Sequence, residues 1–270
     1  MADGPAISHQ QVVGAQTPAW GEGGTICSAL QMAGEGKPFS AAKITCVIFT
    51  DRPMDNYRNF KELQLHETEG TDFEICVRKG TSGIAIIAPH GGGIEPGTMD
   101  IADGIAGREH SFYCFKGIKP VGNNKLHIAS DKFDEPLGIR ITQEARHVLS
   151  IHGCTGQKDT VLVGGRDSAL KKKLINALTR TGFNTEESKQ CGLKGTSPGN
   201  ICNRGRTGEG AQIEISESLR RKMFNRLSPE DLKKKRQVFH HMVETIRKVL
   251  EEYAALHPSD DALPDGEKQG

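Results

Sequence analysis

Residues 88–98 read APHGGGIEPGT. His90 and Glu95 stand either side of Gly91, Gly92 and Gly93, and imidazole nitrogen and carboxylate oxygen both suit Zn²⁺. Glycines take positive φ without strain, so this loop can fold back until both side chains meet one ion. A third donor has to come from elsewhere, and His152, in SIHGC, closes a second apolar run. Two histidines and a carboxylate form a set used by catalytic zinc, with the fourth position left to water. Such a centre needs a general base, and Glu214 in AQIEIS is the candidate. The competing reading of a glycine loop after a strand is phosphate binding. PHGGGIEPG has neither the Walker lysine nor the G-x-G-x-x-G spacing that reading requires.

The elements that must position these residues alternate along the chain. Strands are expected at 43–49 (KITCVIF), 73–79, 83–89 (GIAIIAP), 125–130 (KLHIAS), 147–153, 160–165 and 211–216. Helices are expected at 56–67, at 98–107 with Thr98 as N-cap, from Asp167 through Leu170, Leu174, Ile175 and Leu178, at 217–224, and as one long run over 229–256. Strands alternating with helices imply an α/β fold. The expectation is a single domain with a central mixed or parallel sheet flanked by helices. Ligands of such sheets bind beyond the carboxyl ends of the strands. His90, His152 and Glu214 all fall at or near strand ends, where a site is expected.

The totals narrow the function classes. The chain has 270 residues and a formal net charge of +1, which argues against a general nucleic-acid coat or a membrane-surface protein. No run approaches the length of a membrane-spanning helix, and the first residues lack a basic region followed by an apolar core. Seven cysteines without a CxxC pair fit reduced thiols in a cytoplasmic protein better than a disulfide framework or a four-cysteine zinc site. Residues 1–40 are expected to be a flexible extension, 41–256 the domain, and 257–270 a disordered tail.

The blocks APHGGGIEPGT, SFYCFKG, LHIASDKFDEP, SIHGCTG, VGGRD, NICNRG and QIEISESLR occur in that order. Together they resemble the poly-γ-glutamate hydrolase family of bacteria and their phages, from about Tyr57 to Phe224. That resemblance implies a zinc hydrolase with a metallo-carboxypeptidase-like fold. It implies His90, Glu95 and His152 as metal ligands, Glu214 as base, and endo cleavage of γ-linked glutamyl amides. One departure is Asp100, where the family usually has Glu, at a place where a shorter acid would alter support of the site.

An acidic polymer or small acidic substrate calls for arginine, whose fork binds carboxylate in bidentate fashion. Arg204 in NICNRG is the first choice, with Arg166 and Arg140 behind it; His127 in LHIAS is a further candidate for substrate contact. Asp134 or Glu135 in FDEP would either orient a ligand histidine or belong to a turn ended by Pro136. Cys154 is read as a packing thiol, because the His₂Glu set is already complete. Residues 219–236 carry eight basic and two acidic residues. With Phe224 their one aromatic, and so no interleaved set for base stacking, they read as a solvated helical face rather than a nucleic-acid surface. Two alternatives stand beside the polymer hydrolase: a zinc deacylase of small N-acyl amino acids, and a non-catalytic polyanion- or nucleic-acid-binding protein. The sequence carries no sign of oligomeric state.

Overall fold

The computed structural model describes residues 55–190 and 192–257. The strand expected at 43–49, the N-terminal extension and nearly all of the tail lie outside the described residues. Strands β1 (Phe73–Arg78), β2 (Ile84–Gly92), β3 (Ser111–Gly117), β4 (His147–Cys154), β5 (Val161–Gly165), β6 (Thr185–Glu187) and β7 (Ala211–Ser216) form one mixed sheet in the order β1-β3-β2-β4-β7-β5-β6. β3, β2, β4 and β7 run parallel, and β1 and β5 pair antiparallel at the two flanks. β2 and β4 are buried along almost their whole length. That is why β2 reads as an unbroken apolar run rather than an alternating one, while in β4 the polar Ser150 and His152 sit on one buried face.

Helices cover both faces. On one face, Ile84, Ile86, Leu149, Ile151, Ile213 and Ile215 pack against α2 (Thr98–Ala106), α4 (Ser168–Arg180), α5 (Glu217–Phe224) and α7 (Gln237–Leu256). On the other, Ala85, Ile87 and Val148 meet α1 (Phe60–Leu63), α3 (Pro136–Glu144) and the 3-10 turns Asn123–Leu126 and Ile201–Asn203. In α7 the stripe Phe239, Met242, Val243, Ile246, Val249, Leu250 and Tyr253 faces the sheet, as its spacing requires. No helix among the described residues is long and apolar enough to cross a membrane.

Several expectations are corrected. The helix expected over 56–67 is only the single turn Phe60–Leu63. KLHIAS is no strand: it begins in a 3-10 turn and continues extended without a sheet partner. The long C-terminal run is broken into α6 (Pro229–Leu232) and α7. Pro136 starts a helix instead of ending a turn, since its missing N–H and fixed φ suit the first helical position. Glu135 caps that helix through bonds from the Leu137 and Gly138 amides, while Asp134 accepts from the Phe60 amide. Neither acid is bonded to a histidine in these contacts. Gly97, at φ +93°, caps α2 in place of Thr98, whose hydroxyl donates instead to the Glu95 carbonyl at 2.8 Å.

Candidate metal centre

The centre begins with an irregularity in β2. Ala88 pairs with Cys114 but Gly91 pairs with Lys116, so β2 carries one residue more than β3 over this stretch. This is a β-bulge, which re-aims the side chains beyond it. Strict alternation would send His90 to the face of Ile86 and Ala88. The extra residue turns it to the opposite face, that of Ile87 and of His152. Pro89, which cannot donate to a ladder, falls inside the bulge.

The chain then reverses. The Glu95 amide donates to the His90 carbonyl at 2.9 Å, closing the turn. Gly92 sits at φ +63°, and a Cβ there would meet the Gly117 carbonyl oxygen at 2.3 Å; one on Gly91 would meet Cys114 Sγ at 2.1 Å. The loop lies so close to β3 that side chains are excluded. The glycines therefore serve both the turn and this close approach.

The reversal brings Glu95 Oε1 to 3.2 Å from His90 Nδ1. His152 Nδ1 lies 3.2 Å from His90 Nδ1 and 3.8 Å from Glu95 Oε2. Among the described residues this trio is the one metal-competent group, its donor atoms all within 4.8 Å of one another. Both imidazoles are 2% exposed. The outer nitrogens fix the orientation: His90 Nε2 donates to the Ile128 carbonyl at 2.7 Å, and His152 Nε2 pairs with Ser150 Oγ at 2.8 Å. Because the Ile128 oxygen can only accept, His90 Nε2 carries a proton, and Nδ1 is the nitrogen aimed at the other two donors. Two nitrogens and a carboxylate so close need a cation or shared protons between them. The two 3.2 Å separations are close to the roughly 3.3 Å between neighbouring ligands at metal–ligand bonds near 2.0–2.1 Å, and the 3.8 Å one is somewhat wider. The donor set therefore fits zinc. Outer-nitrogen partners of this kind are what metal-binding histidines have.

Burial would raise the Glu95 carboxyl, but the two histidines outweigh it and hold the group well below the usual carboxylate range. Its Oε2 also accepts from the Gly153 amide at 2.8 Å. Glu214 arrives by register, its Cα paired with that of His152 across β4 and β7. It is 2% exposed. Gln212, two residues earlier on the same face, donates from Nε2 to Glu214 Oε1 at 3.0 Å and to the Leu193 carbonyl at 3.0 Å; its own Oε1 accepts from Asn200 Nδ2. Gln212 and Asn200 were missed by sequence reasoning. The signal for Gln212 was a polar residue alternating with Glu214 inside an apolar strand.

His127 belongs to this neighbourhood although its segment is not a strand. Its ring lies against that of His90 with centroids 4.0 Å apart and planes tilted by 32°, its Nε2 stands 3.9 Å from Glu95 Oε1, and its Nδ1 pairs with Asp55 Oδ1 at 2.5 Å. Asp55 was also missed. The two arginines are placed differently. Arg166 is exposed. Arg204 turns its Nε to the Gly199 carbonyl at 2.9 Å, and the adjoining Gly205 packs against the start of β4, whereas His152 is near its end. Neither arginine has a contact here with the three donors. Cys154 lies beside Glu214 and Arg220, and burial pushes its thiol up to about 11, as suits a packing thiol. Asp100 has Lys235, Asp103 and Lys116 for charged neighbours rather than the histidines.

The chain matches the poly-gamma-glutamate hydrolase family over residues 57–245. It is similar to the SPbeta prophage-derived UPF0714 protein YoqZ of Bacillus subtilis (strain 168), at 36% identity over 200 residues, 73% of this chain and 72% of the relative. It is similar also to UPF0714 protein YmaC of the same strain, at 38% identity over 200 residues, 73% of this chain and 84% of the relative. Among solved structures, a bacteriophage poly-gamma-glutamate hydrolase superposes with TM-score 0.73 at 32% identity, covering 75% of this chain and 99% of that one. The zinc-free apo form of YndL superposes with TM-score 0.71 at 33% identity, covering 74% and 98%.

Proposed function

The chain belongs to the poly-gamma-glutamate hydrolase family, a family of hydrolases, and from that premise we propose that it cleaves γ-glutamyl amide bonds, with zinc held by His90, Glu95 and His152 and with Glu214 as general base. The observation that carries this reading is the convergence of His90 Nδ1, His152 Nδ1 and the Glu95 carboxylate, with Glu214 in register beside them. Zinc in that set would supply Lewis acidity, polarising an amide carbonyl and making water more acidic.

The chain's own residues do the rest. Glu214, held at Oε1 by Gln212, takes the proton of the attacking water at Oε2. A new C–O bond forms at the carbonyl carbon, the C–N bond breaks, and Glu214 returns its proton to the departing amine nitrogen. Ile128 and Ser150 keep both imidazole rings oriented. Burial of the histidines and Glu214 keeps bulk water from competing with these contacts. His127, packed against His90 and paired with Asp55, donates from Nε2 to a substrate oxygen in this reading. Arg204 Nε is bonded to the Gly199 carbonyl and Arg166 is exposed, so neither arginine adds support to this reading as a carboxylate binder.

The test is incubation of purified protein with poly-γ-glutamate, with and without a chelator, followed by sizing of the products, alongside elemental analysis. The expected result is about one zinc per chain and chelator-sensitive shortening of the polymer. Intact polymer alongside hydrolysis of small N-acyl amino acids would move the substrate to the deacylase alternative. Binding of polyanions with neither activity and no zinc would overturn the enzyme reading.

A further inference from the structure

Arg220 lies in the basic segment that reads as a solvated face, yet it is only 5% exposed. Its guanidinium ends on backbone oxygens of three separate segments. Nε donates to the Ile215 carbonyl at 3.1 Å, Nη1 to the Pro96 carbonyl at 2.6 Å and Nη2 to the Cys154 carbonyl at 3.2 Å. Each acceptor adjoins the centre: Ile215 follows Glu214, Pro96 follows Glu95, and Cys154 stands two residues after His152. The space it fills is kept open by Gly153, where a Cβ would fall 2.6 Å from Arg220 Cζ. The amide of that same Gly153 donates to Glu95 Oε2.

We propose that Arg220 is a positioning residue that clamps the Glu95 turn, the end of β4 and the end of β7 together and so sets the spacing of Glu95, His152 and Glu214. Carbonyls at the ends of neighbouring parallel strands splay apart and must find donors elsewhere when buried. Guanidinium presents five N–H donors in one rigid plane, so a single side chain can serve three acceptors lying in different directions; an ammonium on a flexible stem cannot hold the same three in one geometry. Burying a cation is costly, and apolar filling of such a site commonly gives equal or greater stability. Retaining an arginine here is therefore better explained by the geometry it imposes than by stability. The zinc and kinetic readouts of this assignment rest on the function proposed above; the exchange and thermal comparisons do not.

The experiment compares Arg220→Lys and Gly153→Ala with the parent. Gly153→Ala leaves the arginine in the chain but pushes the guanidinium away from its acceptors, so it reaches the clamp from a different element. Zinc affinity is measured by competition with a chromophoric chelator, thermal midpoints are taken on metal-free protein, and amide exchange is followed by mass spectrometry. Both variants should bind zinc 10- to 100-fold more weakly, the usual scale for outer supporting contacts. Their kcat at saturating zinc should fall more than KM changes. Metal-free Arg220→Lys should exchange faster over 93–97 and 153–156 than the parent, with α7 unchanged and the thermal midpoint within a few degrees. Parent-like exchange and parent-like zinc affinity in both variants would overturn the clamp. So would a uniform rise in exchange with a matching fall in midpoint, which would make Arg220 a general brace. A parent that binds no zinc sinks the metal reading alone, because the exchange comparison still decides the clamp.

Discussion

Replacing Glu214 with Gln keeps the length of the side chain and an oxygen that can still accept from Gln212 Nε2, but removes the basic oxygen. Turnover should fall by on the order of 10²-fold or more while zinc content stays at the parent level, because the three ligand donors are untouched. Loss of zinc together with activity would show that Glu214 is a ligand and not the base, so both quantities are read on one sample. At this scale the sequence was most informative where a residue type is rare in its setting. A histidine or glutamate closing an apolar strand is conspicuous, and His90, His152 and Glu214 could be picked out on that ground alone. The supporting residues could not. Asp55, Ser150, Gln212 and Arg220 act through partners 72, 2, 12 and 124 positions away, and only the fold brings the distant pairs together. Arg204 drew attention through its Gly- and Asn-rich loop, a pattern that also describes a turn, and its Nε is in fact spent on that loop's own carbonyl.

The element that does most for the centre is the bulged end of β2 with its glycine turn. Gly92→Val should damage it twice over, through the positive φ closed to β-branched residues and through collision with the Gly117 carbonyl. Zinc affinity should drop at least tenfold with most of the secondary structure retained by circular dichroism; parent-like zinc binding would reduce the glycines to a tolerant linker. The bulge itself was not legible, because one extra residue in a strand leaves no periodic trace in a five-residue apolar run. β2 and β5 were legible because burial on both faces makes them contiguous and apolar, β4 and β7 because their apolar residues are mostly β-branched or leucine and broken by single polar ones, and α2, α4 and α5 through their caps or their 3.6-residue spacing. α3 was lost behind Pro136. A second prediction belongs to the junction of α2 and β3. There His110 is buried, its Nδ1 2.7 Å from Ser82 Oγ; burial and then the Arg247 charge lower its pKa to about 4. In the unfolded chain it titrates near 6.5. The neutral ring therefore stabilises the fold fully above about pH 6.5, and that contribution, of order 3 kcal/mol at most, disappears as pH falls through about 4. Urea midpoints of metal-free protein should fall more steeply between pH 6.5 and 4 for the parent than for His110→Gln. Parallel slopes would show that His110 contributes nothing to acid sensitivity.

At the scale of the whole molecule, the two faces of the sheet divide the work. The face under α2, α4, α5 and α7 holds the larger apolar cluster, while the opposite face, under α1, α3 and short turns, carries the inward-facing donors beside Ile128 and Phe133. Helices supply long apolar stripes that cover a sheet well. Turns leave backbone carbonyls such as that of Ile128 available to hold a ring. This division yields a separation that can be measured. Ile246 is fully buried at the centre of the α7 stripe, on the face away from the histidines. Ile246→Ala removes a branched side chain that the rigid sheet cannot follow inward, and should lower unfolding free energy by about 2–5 kcal/mol. The zinc dissociation constant and kcat/KM of the remaining folded protein should stay within about twofold of the parent, since sites that share no partners respond independently. If zinc affinity fell in step with stability, the two faces would be one coupled unit, and the helical layer would have to count among the supports of the centre.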